Sequence, residues 1–581
     1  MTERVLFFSP HAGIWVHAFP EALVADSLRR AGADVTWISC DGAFGDYCVV
    51  MGSRGLREDA PDAAKRATCR ACRRNRDFIR RDFGFAGYDF DSALTPADET
   101  RLEDVLATAR PDAIGELVVD GIRVGQLALY EYLIAHKRAQ GALDAAEWAA
   151  FRPRLANVVR SLLAAQRIVE REEPTRLVMY NTLYSVNAVW RALGDRRGIP
   201  VYVLHAGPNL ARRLQTLLVA RDSTTLAGYR QVAAWPEHAA LPANSDELAT
   251  VTAHFVEVLA GRNVFAYSAA KSDGDWRARF GIRHDQRILV ATLSSYDEYV
   301  AARAVGEQPP ETGLLFPSQI EWLRVVIAWM REHPDRFLVI RVHPRELPNK
   351  REGTRSQHAQ QLEAALVDLP PNVRVNWPAD GVSLYDLAEH ADVILNAWSS
   401  AGKEMALLGR PVVVYCPSLL MYAPAINQVA ETRNAYFAAI EAALLEPWSF
   451  ERIRKAYRWC SLEYARAIAD IGDAFHVSEA RATTLAGRVR GALLALPGAR
   501  QAHDLWRRPR ELVEGERIAS VILSGRNSLL DVPSARTEVS VADETALIRR
   551  ELGKLYRALY GEPKGAPEPG SLRAYLYDVS R

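Results

Sequence analysis

Asn396-Ala397-Trp398-Ser399-Ser400-Ala401-Gly402-Lys403-Glu404-Met405-Ala406-Leu407, read with Arg341-Val342-His343-Pro344-Arg345 upstream, decides how this chain folds. An apolar run of strand length precedes each motif: Phe337 to Ile340 before the histidine, Val393 to Leu395 before the serines. Both polar motifs therefore end parallel strands, at the edge of an open α/β sheet where ligands bind. Lys403 to Leu408 reads as helix, Gly409 closes it, and Pro411 leads into a further strand, Val412 to Tyr415. Ser399 and Ser400 then stand at a helix start, where unpaired N–H groups, the positive end of the dipole and two hydroxyls suit an anion. His343 adds an N–H donor, cationic or neutral, on a turn stiffened by Pro344. The plain alternatives are an N-cap serine and a polar strand terminus.

The same rhythm extends outward. Residues 4 to 8 form a strand, helical spacing follows at Phe19, Leu23, Val24 and Leu28, and Val35 to Ile38 is a second strand. Strand Leu177 to Tyr180, helix Ser185 to Leu193 and strand Val201 to Leu204 repeat the pattern, while residues 97 to 170 are mostly helical. Pro236 to Asp246 reads as loop, Leu248 to Leu259 as helix, and the charged stretch Lys271 to Asp275 as a linker. Beyond it come strand Ile288 to Thr292, a helix around Ile320 to Glu332, a helix His358 to Leu366, strand Val373 to Val375 and a helix Leu384 to His390. Such alternation predicts an α/β protein of two doubly wound, Rossmann-like domains facing a cleft. The expected divisions are 1–270, with a cysteine-rich insert at 40–72; 276–480; and a helical and irregular C-terminal extension, 481–581, in which Gly561 to Gly570 is too rich in Gly and Pro for regular structure.

The histidine-proline and serine-serine pair resembles the motifs of bacterial GT-B glycosyltransferases that use CMP-activated sugars, the sialyltransferases and capsule Kdo transferases. It is also similar to the broader capsule polysaccharide biosynthesis family and, more distantly, to CDP-glycerol glycerophosphotransferases. The likeness is best over residues ~280 to 480. It implies a GT-B-like fold with an acceptor-side domain at 1–270 and a nucleotide-sugar donor domain at 276–480. It places His343, Ser399 and Ser400 on the donor phosphates and Glu404 near the ribose hydroxyls, with Arg341, Pro344 and Lys403 beside them. The implied reaction moves a sugar, such as an ulosonic acid of the Kdo or sialic type, from a CMP donor to a surface polysaccharide or glycolipid acceptor. Transfer of a polyol phosphate from a CDP donor is the alternative chemistry. A nucleotide-binding glycan-assembly partner without turnover is the alternative class.

A Glu-x7-Glu element, common in retaining GT-B enzymes, would have Glu404 as its second member, but its first position holds Asn396, which favours inversion. With no Asp-x-Asp triplet within 276–480, the expectation is metal-independent catalysis in which protein groups neutralise the leaving phosphate. Inversion needs a general base. The acidic-acidic-glycine signature of several sialyltransferases has only partial counterparts, Asp120-Gly121 and Asp297-Glu298, so His17 and Asp120 are the leading candidates, with His11, Asp41 and His205 beside them.

The chain has 581 residues, 49% hydrophobic and 25% charged, with a net charge of +1, which argues against nucleic acid as a partner. Arg70, Arg73, Arg74, Arg76, Arg80 and Arg81 crowd one segment and read as a solvated face, with an anionic acceptor or membrane surface as the minority reading. No apolar stretch approaches about 18 residues, and Val5-Leu6-Phe7-Phe8 is too short for a signal peptide. The expectation is a cytoplasmic protein whose contact with the inner membrane, if the acceptor is lipid-linked, is peripheral. Of six cysteines, Cys40, Cys48, Cys69 and Cys72 share one segment, the last two as a Cys-x2-Cys pair. Structural zinc, incidental reduced thiols, and an iron–sulfur or redox site all remain open for the four; no cofactor is expected in catalysis.

Overall fold

Strand β1 (Arg4–Phe8) buries four consecutive apolar side chains, Val5 to Phe8, a pattern that a sheet covered on both faces produces. In the computed structural model, which describes residues 2–580 except 140, 262–264, 266, 273–274, 309–313, 350–352, 447, 476–484, 495, 535, 563–566 and 568, it lies inside a seven-stranded sheet. Strands β2 (Asp34–Ser39), β3 (Ala86–Asp89), β4 (Arg176–Tyr180) and β5 (Val201–Ala206) run parallel with it in the order β5-β4-β1-β2-β3. Strand β6 (Thr216–Arg221) joins β5 antiparallel, and Ala469–Asp470 pairs antiparallel outside β6.

The second sheet is parallel throughout its described pairings: β7 (Arg287–Thr292), β8 (Arg336–Arg341), β9 (Val373–Asn376), β10 (Val393–Asn396), β11 (Val412–Val414) and β12 (Gln428–Val429), ordered β12-β11-β10-β7-β8-β9. Strand β7 lies between the two motif strands. Its Thr292 is level with Arg341 on one side and Asn396 on the other. The His343 turn and the serine turn therefore leave one sheet edge side by side. This is the GT-B-like, two-sheet architecture expected above.

The cores divide the chain differently from its sequence rhythm. Leu248, Val251, Phe255 and Val258, on helix Ser245–Ala260, pack into the core of the second sheet with Ile288, Val339 and Ile394. The stretch expected to be loop, Pro236 to Asp246, is entered by helix Thr224–His238, which carries Pro236 within it. Conversely, Ala301 and Val305, at and just beyond helix Tyr296–Ala304, which follows β7, pack in the core of the first domain. Nor do the last hundred residues form a separate unit. Ile518 and Ile522 of helix Gly515–Leu523 join the first domain's core, whereas Ile548, Leu552 and Leu555 of helix Val541–Tyr560 join the second's. Residues 563–566 and 568 of the Gly561 to Gly570 stretch lie outside the described residues.

Helix Phe450–Ser461 runs into a π-turn, Leu462–Arg466, before the chain crosses to its Ala469–Asp470 pairing on β6. The two domains are also clasped by buried charges. Glu307, fully buried, is ion-paired with Arg191 (2.7 Å) and accepts from the Ser223 hydroxyl, both of the opposite domain. The ammonium of buried Lys137 donates to the Arg345 carbonyl, and Gln357 answers by accepting from Ala139 N–H at 3.0 Å and donating its own N–H to the Lys137 carbonyl. The Glu544–Arg458 and Glu247–Arg466–Arg536 ion pairs fasten the C-terminal region. Among the described residues, no helix is long and apolar enough to cross a membrane.

Removing one partner of a buried ion pair leaves the other charge uncompensated, a loss of about 3–5 kcal/mol. Glu307→Ala should therefore lower the thermal midpoint markedly, and Glu307→Gln, which keeps a hydrogen-bond acceptor, should lower it less. Equal midpoints for wild type and Glu307→Ala in a melting scan would show that the clasp contributes little.

Candidate active site

Two connected cavities occupy the cleft. The smaller, about 250 Å³, is lined by Arg341, His343, Pro344, Ser399, Ser400, Lys403 and Glu404 with Phe265, Tyr267, Tyr385 and Tyr464. The larger, about 580 Å³, opens toward the first domain, with His205, Arg213, Gln231, Glu298, Trp398 and Glu463 on its walls. His343, Ser399, Ser400, Lys403, Tyr267 and Pro208 line both. The residues that the two motifs supply thus stand at the junction.

At the end of β8, His343 accepts the Arg345 N–H through Nδ1 at 3.3 Å. That bond makes Nε2 the protonated nitrogen of a neutral ring, so a residue lining both cavities retains an N–H donor. Burial pushes the ring's pKa down to about 4, which favours the neutral form near pH 7. Arg341 is a brace: its Nη1 donates to Asn376 Oδ1 (2.6 Å) and the Val382 carbonyl (2.9 Å) while its side chain walls the smaller cavity. Burial lowers its pKa to about 10, still leaving it charged. Arg345 is held by Asp297 at 2.8 Å and donates to the Tyr267 hydroxyl at 3.1 Å, so it carries that ring at the junction of the cavities.

The helix after the serines is only seven residues, Ala401–Leu407, so its dipole is small and the hydroxyls matter more. Ser399 Oγ accepts the Ala401 N–H at 3.3 Å, and exposed Ser400 donates to Glu404 Oε1 at 3.0 Å. Glu404 also accepts from Tyr385 at 2.7 Å, which fixes its carboxylate on the wall of the smaller cavity. Asn396 supports the turn from below: its amide donates to the Ser399 carbonyl and to Tyr422, and its Oδ1 accepts from Thr292. A Cβ on Gly402 would come within 2.0 Å of the Tyr422 hydroxyl and 2.6 Å of the Asn396 amide, so only glycine fits. Lys403 departs from its expected pairing with phosphate. It is buried and ion-paired to Glu463 at 2.7 Å; burial opposes its charge, but Glu463 outweighs burial and holds the pKa above the ordinary lysine value. Glu463 and Tyr464 are presented by the π-turn, a distortion that often marks functional positions.

On the opposite wall the expected bases separate. Asp120 is not brought to the cleft: it is an exposed turn residue with φ 48°, bound to Arg101 at 2.6 Å and to Gln166 at 3.0 Å. His17 lines neither cavity; its ring stacks on Tyr180 at 4.0 Å, and burial with His205 close by lowers its pKa. His11 is buried against Tyr184, and Asp41 pairs with Arg73 and Arg76. That pairing, with Arg80 on Asp89, accounts for part of the arginine cluster as an ion-pair network. His205, at the end of β5, does face the larger cavity. Its Nδ1 is 2.9 Å from the Ala206 carbonyl, an oxygen that can only accept, so Nδ1 carries the proton and Nε2 the lone pair. Burial lowers its pKa to about 4.

Arg213, Tyr267, Tyr385, Glu463 and Tyr464 form part of the site without a sequence signal that singled them out, because each lies outside a strand-end motif. Arg213 stacks on Phe265 at 4.8 Å and donates to the Gly207 carbonyl. The four cysteines line a separate small cavity of about 20 Å³. Among the described residues no three His, Cys, Asp or Glu side chains already stand in the geometry of a metal site.

No protein-family model matches the sequence, and no curated protein matches it. Among solved structures the chain is similar to a spinosyn rhamnosyltransferase (14% identity over 80% of this chain and 95% of that one, TM-score 0.22). It is similar also to a UDP-GlcNAc 2-epimerase of Methanocaldococcus jannaschii (12% identity, 79% and 98% covered, TM-score 0.26) and to the β-Kdo 2,4 transferase of Thermosulfurimonas dismutans KpsC (13% identity, 49% and 78% covered, TM-score 0.30). At these scores none of them assigns a role to a residue of this chain.

A lowered histidine pKa means the ring stays neutral as pH falls through the ordinary value of 6.5 and takes its proton only toward about 4. In a histidine-selective NMR titration, signals assigned through His205→Gln and His343→Gln should keep neutral-form shifts from pH 8 to about 5.5. A midpoint near 6.5 for either ring would contradict the lowering by burial derived above.

Proposed function

We propose that the protein is a metal-independent, inverting glycosyltransferase that moves an acid sugar of the ulosonic class from a CMP-activated donor to a hydroxyl of a surface polysaccharide or glycolipid. What carries the reading is that His343, Ser399 and Ser400, from strands on either side of β7, meet at the junction of the two cavities. The smaller cavity takes the nucleotide, with the aromatic groups Phe265 and Tyr385 for its base and Glu404 for ribose hydroxyls. The larger takes the sugar and acceptor.

In this reading the acceptor hydroxyl attacks the anomeric carbon as His205 Nε2 removes its proton. The bond from that carbon to the phosphate oxygen breaks, and the CMP phosphate leaves with the electron pair. His343 Nε2–H and the serine hydroxyls donate to the phosphate as its charge grows, a contribution larger in the transition state than in the ground state. Arg213, on the wall of the larger cavity, is the counter-charge for the sugar's carboxylate. His205 replaces His17 and Asp120 as the base, because it alone of the three lines the cleft.

CMP or CDP should raise the melting temperature without magnesium, since a ligand that binds the folded state stabilises it. Stabilisation by UDP or GDP with no response to cytidine nucleotides would refute the donor class. With a CMP-sugar assay, His343→Ala should lower kcat by ~10²-fold and His205→Ala by ~10²–10⁴-fold, each with near-normal CMP binding. Normal turnover in either folded variant would remove that residue from the mechanism. Release of CMP with a phosphorus-free product separates this reaction from polyol phosphate transfer, and binding without turnover would indicate a non-catalytic partner.

A further inference from the structure

Twelve large apolar side chains are exposed among the described residues, and five of them fall between residues 489 and 513: Val489, Leu493, Leu496, Trp506 and Val513. Trp506 is 84% exposed and Val513 81%. Exposed apolar side chains scattered singly need no explanation, but a group of this density that includes a tryptophan does. Packing fixes its outward aim. On helix Ala499–Arg507, Leu505 enters the first domain's core, and buried Asp504 accepts from Trp15 Nε1 at 2.9 Å. Arg508 lies over the Phe83 ring at 3.8 Å and donates to the Asp82 carbonyl at 2.6 Å. With the residues on both sides of it pinned, Trp506 is turned to solvent. Leu512 joins the same core and leaves Val513 outside. On helix Leu485–Leu494, Val489 and Leu493 are four residues apart and share one face.

Helix Asp62–Phe83 borders this apolar group with arginine. It holds eight basic residues and three acidic ones. Asp62 is matched by Arg66, Asp77 by Arg76 and Asp82 by Arg81, while Asp41 and Asp89 engage Arg73, Arg76 and Arg80. Lys65 donates to the Glu58 carbonyl. Arg70 and Arg74 remain: both are exposed, one helical turn apart, and neither has an ion pair among the described residues. The next turn carries Phe78, with Arg81 stacked on it at 5.1 Å, and a Cβ at Gly498 would stand 3.5 Å from the same ring. The arginine stripe and the apolar stretch therefore meet at Phe78. Arg488, Arg507 and Arg510 are exposed within the apolar stretch itself. Of its two acids, Glu511 is exposed and Asp504 is buried against Arg500.

We propose that residues 488–513, with Arg70 and Arg74, dock this protein on the surface of an anionic lipid bilayer. Trp and Leu side chains gain by entering the boundary between headgroups and acyl chains, while guanidinium groups stay level with the lipid phosphates. A protein interface is less well matched, because its apolar core is depleted of charge, whereas Arg488 directly precedes Val489 and Arg507 directly follows Trp506. The contact is peripheral, since no helix among the described residues is long and apolar enough to cross a membrane. Neither cleft cavity includes any of these residues. Docking thus does not depend on the reaction proposed above, and it is measured without donor or acceptor.

Full-length protein should sediment with phosphatidylcholine vesicles that contain phosphatidylglycerol and stay in the supernatant with phosphatidylcholine alone, and salt should weaken the binding. Arg70→Gln, Arg74→Gln and Arg507→Gln together should weaken it on the order of a hundredfold, at roughly fivefold per charge. Trp506→Ser with Leu493→Ser should also weaken it, and high salt should abolish what remains. Leu445→Ser, at an exposed apolar position outside the surface, should bind as wild type does. Every substituted side chain is exposed, so the variants should keep the wild-type melting temperature. Where one variant is unstable, the other variant and the lipid and salt dependence of the wild type decide. No sedimentation with the anionic vesicles, or binding that the arginine and apolar variants both retain, would overturn the surface. So would a concentration-dependent dimer that Trp506→Ser dissociates and that leaves vesicles unbound, since a second copy of the chain would then cover this face.

Discussion

Glu307 is a carboxylate with no access to solvent, contributed by the second half of the chain, ion-paired with Arg191 and hydrogen-bonded by Ser223 of the first. A buried charge tolerates only the geometry that satisfies it, so this contact fixes how the two sheets face one another. Lys137 on the Arg345 carbonyl acts at a second point, directly beneath the His343 turn. Helix Tyr296–Ala304 is seated on helix Val124–His136, and both line the larger cavity, so the contacts that join the domains also build a wall of the cleft. The cleft walls are therefore positioned before any ligand arrives, which reduces the ordering that binding must accomplish.

Preorganisation extends to protons. His205 and His343 both end parallel strands, both sit where burial keeps the ring neutral, and both have Nδ1 tied to nearby backbone. The backbone partner differs, and with it the chemistry. A carbonyl at Nδ1 leaves His205 a lone pair at Nε2; an N–H at Nδ1 leaves His343 a proton there. One ring can take a proton and the other can donate a hydrogen bond across the same cavity system without either becoming charged beforehand.

The strand-end motifs were legible because period and punctuation coincide: an apolar run, a polar turn, then a helix closed by Gly409. Arg341, Pro344, Ser399, Ser400 and Glu404 follow from that pattern and line one cavity. Lys403 shares the wall, but its partner, Glu463, is sixty residues away on a π-turn, and no local signal pairs them. Asp120 carried the right chemistry in a partial motif, yet its left-handed turn points it to Arg101. His17 lies in the first turn of helix Trp15–Arg30, and Tyr180, from a strand more than a hundred residues later, covers its ring. Candidate bases were ambiguous because a strand end specifies position along a sheet edge but not which side chain faces the opposite domain.

The sequence by itself determined the local alternation of strands and helices, the parallel strands at the centre of each sheet and the edge at which ligand groups gather. Those properties depend on hydrophobic period and turn residues within short windows. The tertiary structure alone decided that helix Ser245–Ala260 packs with the second domain, that the C-terminal region joins both cores, and that His205 faces the larger cavity. It also decided which nitrogen of each histidine holds the proton, and that four cysteines from three elements surround one void. These outcomes arise from burial and from pairing of polar groups distant in the chain, where the favourable partner is set by the packing of whole elements and not by neighbouring residues.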